Sequence, residues 1–319
     1  MKFAYLVMTE LRSLDKNIND LYKYIINPFE ADIFICVQEL CIEDYEKIKL
    51  FDKNLVYSEI YKKPNPYTFF GPNNNTNITM CKGDVNWNKP SNLQIYINYY
   101  RMADVIKNVV NNYDYFITMR TDVSILFPFP EKDFFNKIPQ SLYSFNTEYS
   151  KGWNGSGYSV FIHKNFILKY LNCYYFIIKN SLLKNVLLHN FYVPSIRKLN
   201  CNQEKFQKIC LKLINVPQPK SIKNTNVYYN ATTLNDYTTW STPILHPKYN
   251  VICKYINQCD EAYNSLYLWN SGYRWKYEND NIFLENPNAI TNNNPIKKSI
   301  LKVKTPKNII QNNFKILNL

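Results

Sequence analysis

Glycine is scarce in this chain, with six residues in 319, and three of them fall together in Gly152-Trp153-Asn154-Gly155-Ser156-Gly157. Histidine is scarcer still, limited to His163, His189 and His246, so imidazole alone says little about a metal centre. The eight cysteines form no C-x-x-C pair, which excludes a zinc ribbon and a small disulfide scaffold. Several lie inside apolar runs, such as Phe34-Ile35-Cys36-Val37, where a free thiol behaves as a small hydrophobe. Reduced thiols of a cytoplasmic protein are the expectation. No uninterrupted apolar run reaches the ~18 residues of a membrane-spanning helix. The N-terminal residues hold only a short apolar run and no small-residue cleavage site, so no signal peptide is expected.

What the chain does contain is aromatic and amide side chains. Aromatic residues make up 16%, with 28 Tyr, and asparagine is about one residue in seven, well above ordinary usage. Lys, Asn, Ile and Tyr are residues that AT-rich coding favours, which explains part of the bias. The formal charge of +13 suits a polyanionic partner, either a nucleic acid, an anionic membrane surface or a diphosphate. Only 20% of residues are charged, and no dense basic block precedes the C-terminal Lys297-Lys298-Ser299-Ile300-Leu301-Lys302. With 46% hydrophobic residues, the chain is long enough for one large core or two modest ones.

The apolar pattern alternates between strand and helix. Phe3 to Met8 reads as a buried strand and Leu14 to Asn27 as a helix, with Asn27-Pro28 as its stop. Asp32 to Val37 is a second strand, Glu43 to Leu50 a short helix, and Leu55 to Tyr61 a third strand. Such alternation signals a mostly parallel α/β sheet. Lys62 to Pro90 is a long loop rich in Pro and Asn. A helix follows from Ser91, its expected N-cap, to Asn111, and leads into an apolar strand over Tyr113 to Val123. Further strands are expected at Ser141–Asn146 and Tyr158–His163, with helices at Phe166–Lys184, Gln203–Ile214 and Asn257–Trp269.

The strand over Tyr113 to Val123 ends in Arg120-Thr121-Asp122. Ligands of open α/β sheets bind just outside such carboxyl ends. A carboxylate there can ligate a divalent cation, and an arginine can take diphosphate oxygens bidentately. The alternative is a structural ion pair. Gly152 to Gly157 either lets backbone approach a ligand closely, with Trp153 as a stacking face, or forms an ordinary hairpin turn. Glu204 is either a general base or a first-turn glutamate favoured by the helix dipole.

Taken in order, these segments resemble nucleotide-sugar glycosyltransferases of the GT-A type. The similarity is strongest to uncharacterised versions in large DNA viruses and bacterial polysaccharide clusters. The segments that carry it are the strand Phe3–Met8, Arg12 in the loop behind it, and Ala31-Asp32-Ile33-Phe34. Tyr99-Tyr100-Arg101, Tyr113 to Asp122, Trp153 to Gly157 and Asn202-Gln203-Glu204 complete it.

The resemblance implies an α/β, GT-A-like sheet flanked by helices. Residues 1–285 would be the catalytic domain, with a nucleotide-binding half at 1–125 and an acceptor half at 126–285. Residues 286–319 would be an arm or tail. It further implies metal-assisted transfer of a sugar from a UDP or GDP type donor to a glycan or glycoprotein hydroxyl. Thr9, Arg12, Arg101, Thr121, Asp122, Trp153 and Gly155 would bind the donor. Asp122, with His246, would hold Mn²⁺ or Mg²⁺. Arg120, where the family pattern has a carboxylate, would neutralise the leaving diphosphate, and Glu204 would be the base of an inverting transfer. The cytoplasm, of the host if the protein is viral, is the expected location. Two rivals remain: a basic nucleic-acid-binding protein, and an inactive relative that only binds a glycan or partner.

Overall fold

A computed structural model describes residues 1–9, 11, 14–39, 43–51, 53–62, 64, 69, 81–82, 85–86, 90–121, 123–125, 127–145, 159–179, 192–193, 198–199, 203–217, 220–221, 227–229, 244–245, 252–253 and 268–286. The chain begins with β1 (Phe3–Val7), α1 (Leu14–Leu21), a π turn at Tyr22–Ile26 and α2 (Asn27–Phe29). It continues through β2 (Asp32–Gln38), α3 (Glu43–Ile48) with a 3₁₀ turn at Lys49–Phe51, and β3 (Leu55–Tyr61). A short antiparallel pair, β4 (Cys81–Lys82) and β5 (Val85–Asn86), precedes α4 (Pro90–Ile106). Next come β6 (Tyr115–Met119), β7 (Val123–Ile125), α5 (Phe134–Lys137), β8 (Leu142–Ser144) and β9 (Ser159–His163). α6 (Lys164–Leu171) and α7 (Cys173–Lys179) follow, then β10 (Tyr192–Val193), β11 (Lys198–Leu199) and α8 (Gln203–Leu213). The remaining strands are β12 (Lys220–Ser221), β13 (Val227–Tyr229), β14 (Ile244–Leu245), β15 (Ile252–Cys253), β16 (Arg274–Glu278) and β17 (Asn281–Glu285).

Seven strands form the central sheet in the order β12-β8-β9-β6-β1-β2-β3. Only β9 runs against its neighbours; every other adjacent pair is parallel. The mostly parallel α/β sheet that the strand–helix alternation signals is the sheet formed, with helices on both faces. β1, β6 and β9 are buried throughout, as expected of strands covered on two sides. On one face Leu6, Phe116 and Ile162 pack under α4, α6, α7 and α8. On the other, Phe3, Tyr115 and Phe161 pack under α1, the π turn, α2 and α5.

Several boundaries differ from the sequence reading. Helical structure runs past Asn27-Pro28 to Phe29, because the π turn delivers Pro28 to the start of a new turn, where its missing N–H costs nothing. Glu30, in the left-handed region at φ 46°, ends it. Pro90, not Ser91, opens α4 for the same reason. The long helix expected from Phe166 is two helices, broken at Asn172, and the first starts at Lys164 because His163 caps it, Nδ1 accepting from the Asn165 N–H at 3.3 Å. The strand expected over Tyr113 to Val123 is two strands in two different sheets. β6 stays in the central sheet, while β7 pairs with β13. The β16–β17 hairpin was not expected; Asn279 and Asp280, both at positive φ, make its two-residue turn. Of the helix expected at Asn257–Trp269, only the turn at 268–270 is described, and the expected tail lies almost wholly outside the described residues.

Candidate functional site

β1 and β6 are adjacent and parallel, with Phe3 opposite Tyr115 and Leu6 opposite Thr118. Thr9 and Arg120 therefore leave the sheet side by side at its carboxyl edge, the position where open α/β sheets place ligands. Thr9 Oγ1 is buried without a hydrogen-bond partner among the described residues.

The chain turns sharply after β6, and α1 fixes that turn from below. Asn17, only 2% exposed, donates from Nδ2 to the Thr121 carbonyl at 3.1 Å. One helical turn on, Asp20 accepts the backbone N–H of Ile125, and burial raises its carboxyl above the usual range against the pull of Lys23. The two bonds bracket residue 122. Tyr5 OH adds a bond to the Met119 carbonyl at 3.4 Å.

Arg120 is half-buried beside Tyr99 of α4. Burial pushes the Tyr99 phenol up to about 12, while Tyr170, the Arg120 charge and Gln207 oppose the rise. The hydroxyls of Tyr99 and Tyr170 and the Gln207 amide meet in this pocket, the two rings 6.0 Å apart. Gln207 is 4% exposed on α8, and Glu204 lies one turn before it on the same helix. The fold thus brings the backbone of the candidate base close to the element that flanks Arg120.

A second polar cluster lines α4 at the ends of β1 and β3. Asn98 Nδ2 donates to the Met8 carbonyl at 2.8 Å, and its Oδ1 accepts from both Tyr61 OH and Gln94 Nε2, the latter at 2.9 Å. Gln94 Nε2 also reaches Tyr61 OH at 3.1 Å. Arg101 pairs with Glu59 of β3, and its guanidinium lies 4.1 Å from the centre of the Tyr61 ring. The Cys36 thiol donates to Glu59 Oε2 at 3.6 Å, and burial pushes it up to about 12. Arg101 thus holds β3 against α4 through an ion pair.

Of the residues singled out from sequence, the structure brings Thr9, Arg120 and Thr121 together at one edge and sets Arg101 in the neighbouring cluster. Arg12, Asp122, Trp153, Gly155 and His246 lie outside the described residues, as does the side chain of Glu204. Asn17, Asp20, Gln94, Asn98 and Gln207 were missed. Their signal was present: polar residues at i, i+3 or i+4 on otherwise core-facing helices, with Gln94, Asn98 and Arg101 forming one such row.

Among the described residues, no three His, Cys, Asp or Glu side chains group as a metal site, and no helix is long and apolar enough to cross a membrane. Cys36, Cys173 and Cys210 are buried and not in disulfides. No family model matches the chain, and no curated protein matches it. Among solved structures it is similar to mouse xyloside xylosyltransferase 1 in its apo form. The two are 9% identical over 75% of this chain and 91% of that one, with a TM-score of 0.40.

Proposed function

We propose that this chain is a GT-A-type glycosyltransferase, moving a sugar from a UDP or GDP type donor to a hydroxyl of a glycan or glycoprotein. The observation that carries the reading is the convergence at the carboxyl edge of β1 and β6. There, a threonine hydroxyl buried without a partner among the described residues and a half-buried arginine stand beside the end of β6, and α1 bonds the backbone of Thr121 and of Ile125.

In this reading Thr9, with Arg12 in the following loop, takes the nucleotide and its diphosphate. Arg101 lines the nucleotide side of the site, and Trp153 and Gly155 lie against the donor sugar. The bond from the anomeric carbon to the diphosphate oxygen breaks, and its electron pair leaves with the diphosphate. Arg120 neutralises that charge as it develops. The acceptor oxygen forms the new bond to the anomeric carbon and gives its proton to Glu204. Mn²⁺ or Mg²⁺, when bound, supplies further charge neutralisation on the diphosphate. Asp122 is the carboxylate to hold it, with His246 as a second ligand. One carboxylate completed by phosphate oxygens and water is an ordinary set for such a hard cation.

Thermal-shift measurements with UDP and GDP, each with and without Mn²⁺, test the reading. A Mn²⁺-dependent stabilisation that disappears in Asp122→Ala is the expected outcome. Silence across the panel would end it.

A further inference from the structure

The Gln94 amide nitrogen faces Tyr61 OH and Asn98 Oδ1, two hydrogen-bonded acceptors on the same side of it. Asn98 is itself fixed, since its Nδ2 is engaged by the Met8 carbonyl. Turning the Gln94 amide over would set its oxygen against the Asn98 oxygen, so its orientation is determined. Gln94 Oε1 takes no part in this network. It is buried, on a residue 8% exposed, and has no donor among the described residues. The Asn98–Met8 bond also brings Thr9, the next residue, to this end of α4, and Thr9 Oγ1 is another buried atom without a partner among the described residues. An acceptor left buried without a donor is destabilising, and an arriving donor offsets that cost. The carboxyl edge of the sheet thus holds an acceptor of fixed orientation on Gln94 and, on the residue after Met8, a hydroxyl able to donate.

We propose that Gln94 reads the nucleobase of the donor, accepting from a ring N–H that stands next to a carbonyl, while Thr9 donates to that carbonyl. This inference rests on the glycosyltransferase reading above. Uracil and guanine present such an N–H. Cytosine and adenine do not, and would leave Gln94 Oε1 buried and unpaired. Asn98 and Tyr61 act by holding the amide in the accepting orientation.

The test is calorimetric titration of the full chain with UDP, GDP, CDP and ADP in the presence of Mn²⁺, followed by 3-methyl-UDP and 1-methyl-GDP. UDP or GDP should bind, and comparison of the two identifies the base. Its N-methyl analogue, CDP and ADP should each bind at least about tenfold more weakly, the weight of one hydrogen bond. Gln94→Met should level these differences, its melting temperature reporting whether the fold survives. The methylated probes act on the unaltered chain, so the result does not depend on that variant folding. Equal binding of all bases, full binding of the methylated analogue, or preference retained in folded Gln94→Met would overturn the role of Gln94 while leaving the glycosyltransferase reading intact. No binding of any nucleotide would overturn both.

Discussion

Across the central sheet from Gln94, Asn98, Tyr61, Glu59 and Arg101 lies a face of aliphatic side chains around a cluster of rings. Phe161 of β9 sits at its centre, with Phe135, Phe145, Phe29 and Phe129 at centroid distances of 5.0, 5.1, 5.3 and 5.3 Å. Phe3 extends the cluster, 4.8 Å from Phe29. The α4 face is mostly apolar too, but near the carboxyl edge it buries two amides and several phenols and carries a partly exposed ion pair. The hydrophobic force that holds such a face is non-directional, and apolar packing tolerates substitution of similar volume. The polar cluster is directional, and each group fixes the orientation of the next. One face supplies stability, and the other holds particular atoms in particular places.

That contrast can be broken most forcefully at Phe161. Phe161→Ala removes a ring that touches four others in a fully buried position, and should cost about 3–5 kcal/mol in urea unfolding. Nucleotide affinity of the fraction that remains folded should be unchanged. Asn98→Leu should cost less, about 2 kcal/mol, by leaving the Met8 carbonyl and its other partners unsatisfied. Its effect on nucleotide binding should be the larger of the two, since Gln94 loses its brace. If Phe161→Ala weakened binding and Asn98→Leu did not, the assignment of roles to the two faces would be reversed.

The smallest effect concerns His163 at the far end of β9. Burial, aided by Lys164, holds its imidazole below the ordinary 6.5, with Asp114 opposing. Its Nδ1 must stay unprotonated to cap α6. The unfolded chain therefore binds a proton more readily than the folded one. Stability from this group is complete above about pH 6.5 and is lost as pH falls through the folded value. Thermal melts between pH 7 and 5 should show a decline of the order of 1 kcal/mol, the weight of a helix cap. His163→Asn, which can cap without titrating, should flatten it.

Much of the fold was legible because strands covered on both faces are written as apolar runs. β1, β2 and β9, and with them the more exposed edge strand β3, fall within a residue or so of their expected positions. The Arg120–Thr121 edge was legible because charge appears abruptly after such a run. What escaped was set by contacts distant in sequence. No local pattern ends β6 at Met119 and moves Val123 into another sheet; β13, about a hundred residues downstream, does that. Gln94 and Asn98 looked like ordinary polar positions on an amphipathic helix, because their partners are a carbonyl on β1 and a phenol on β3. The hairpin of β16 and β17 was obscured by Asn-rich surroundings, although Trp275 anchors it, its Nε1 donating to the Pro128 carbonyl at 2.9 Å.

The bond from Asn17 to the Thr121 carbonyl spans 104 residues of chain. It cannot form until β6 has been made and has settled beside β1, so during synthesis α1 waits with its amide facing water. The candidate edge is therefore completed late, after the sheet that supports it. Amide hydrogen exchange on the mature protein should carry the same signature. Opening of α1 alone should release the Ile125 N–H while the amides of β6 stay protected.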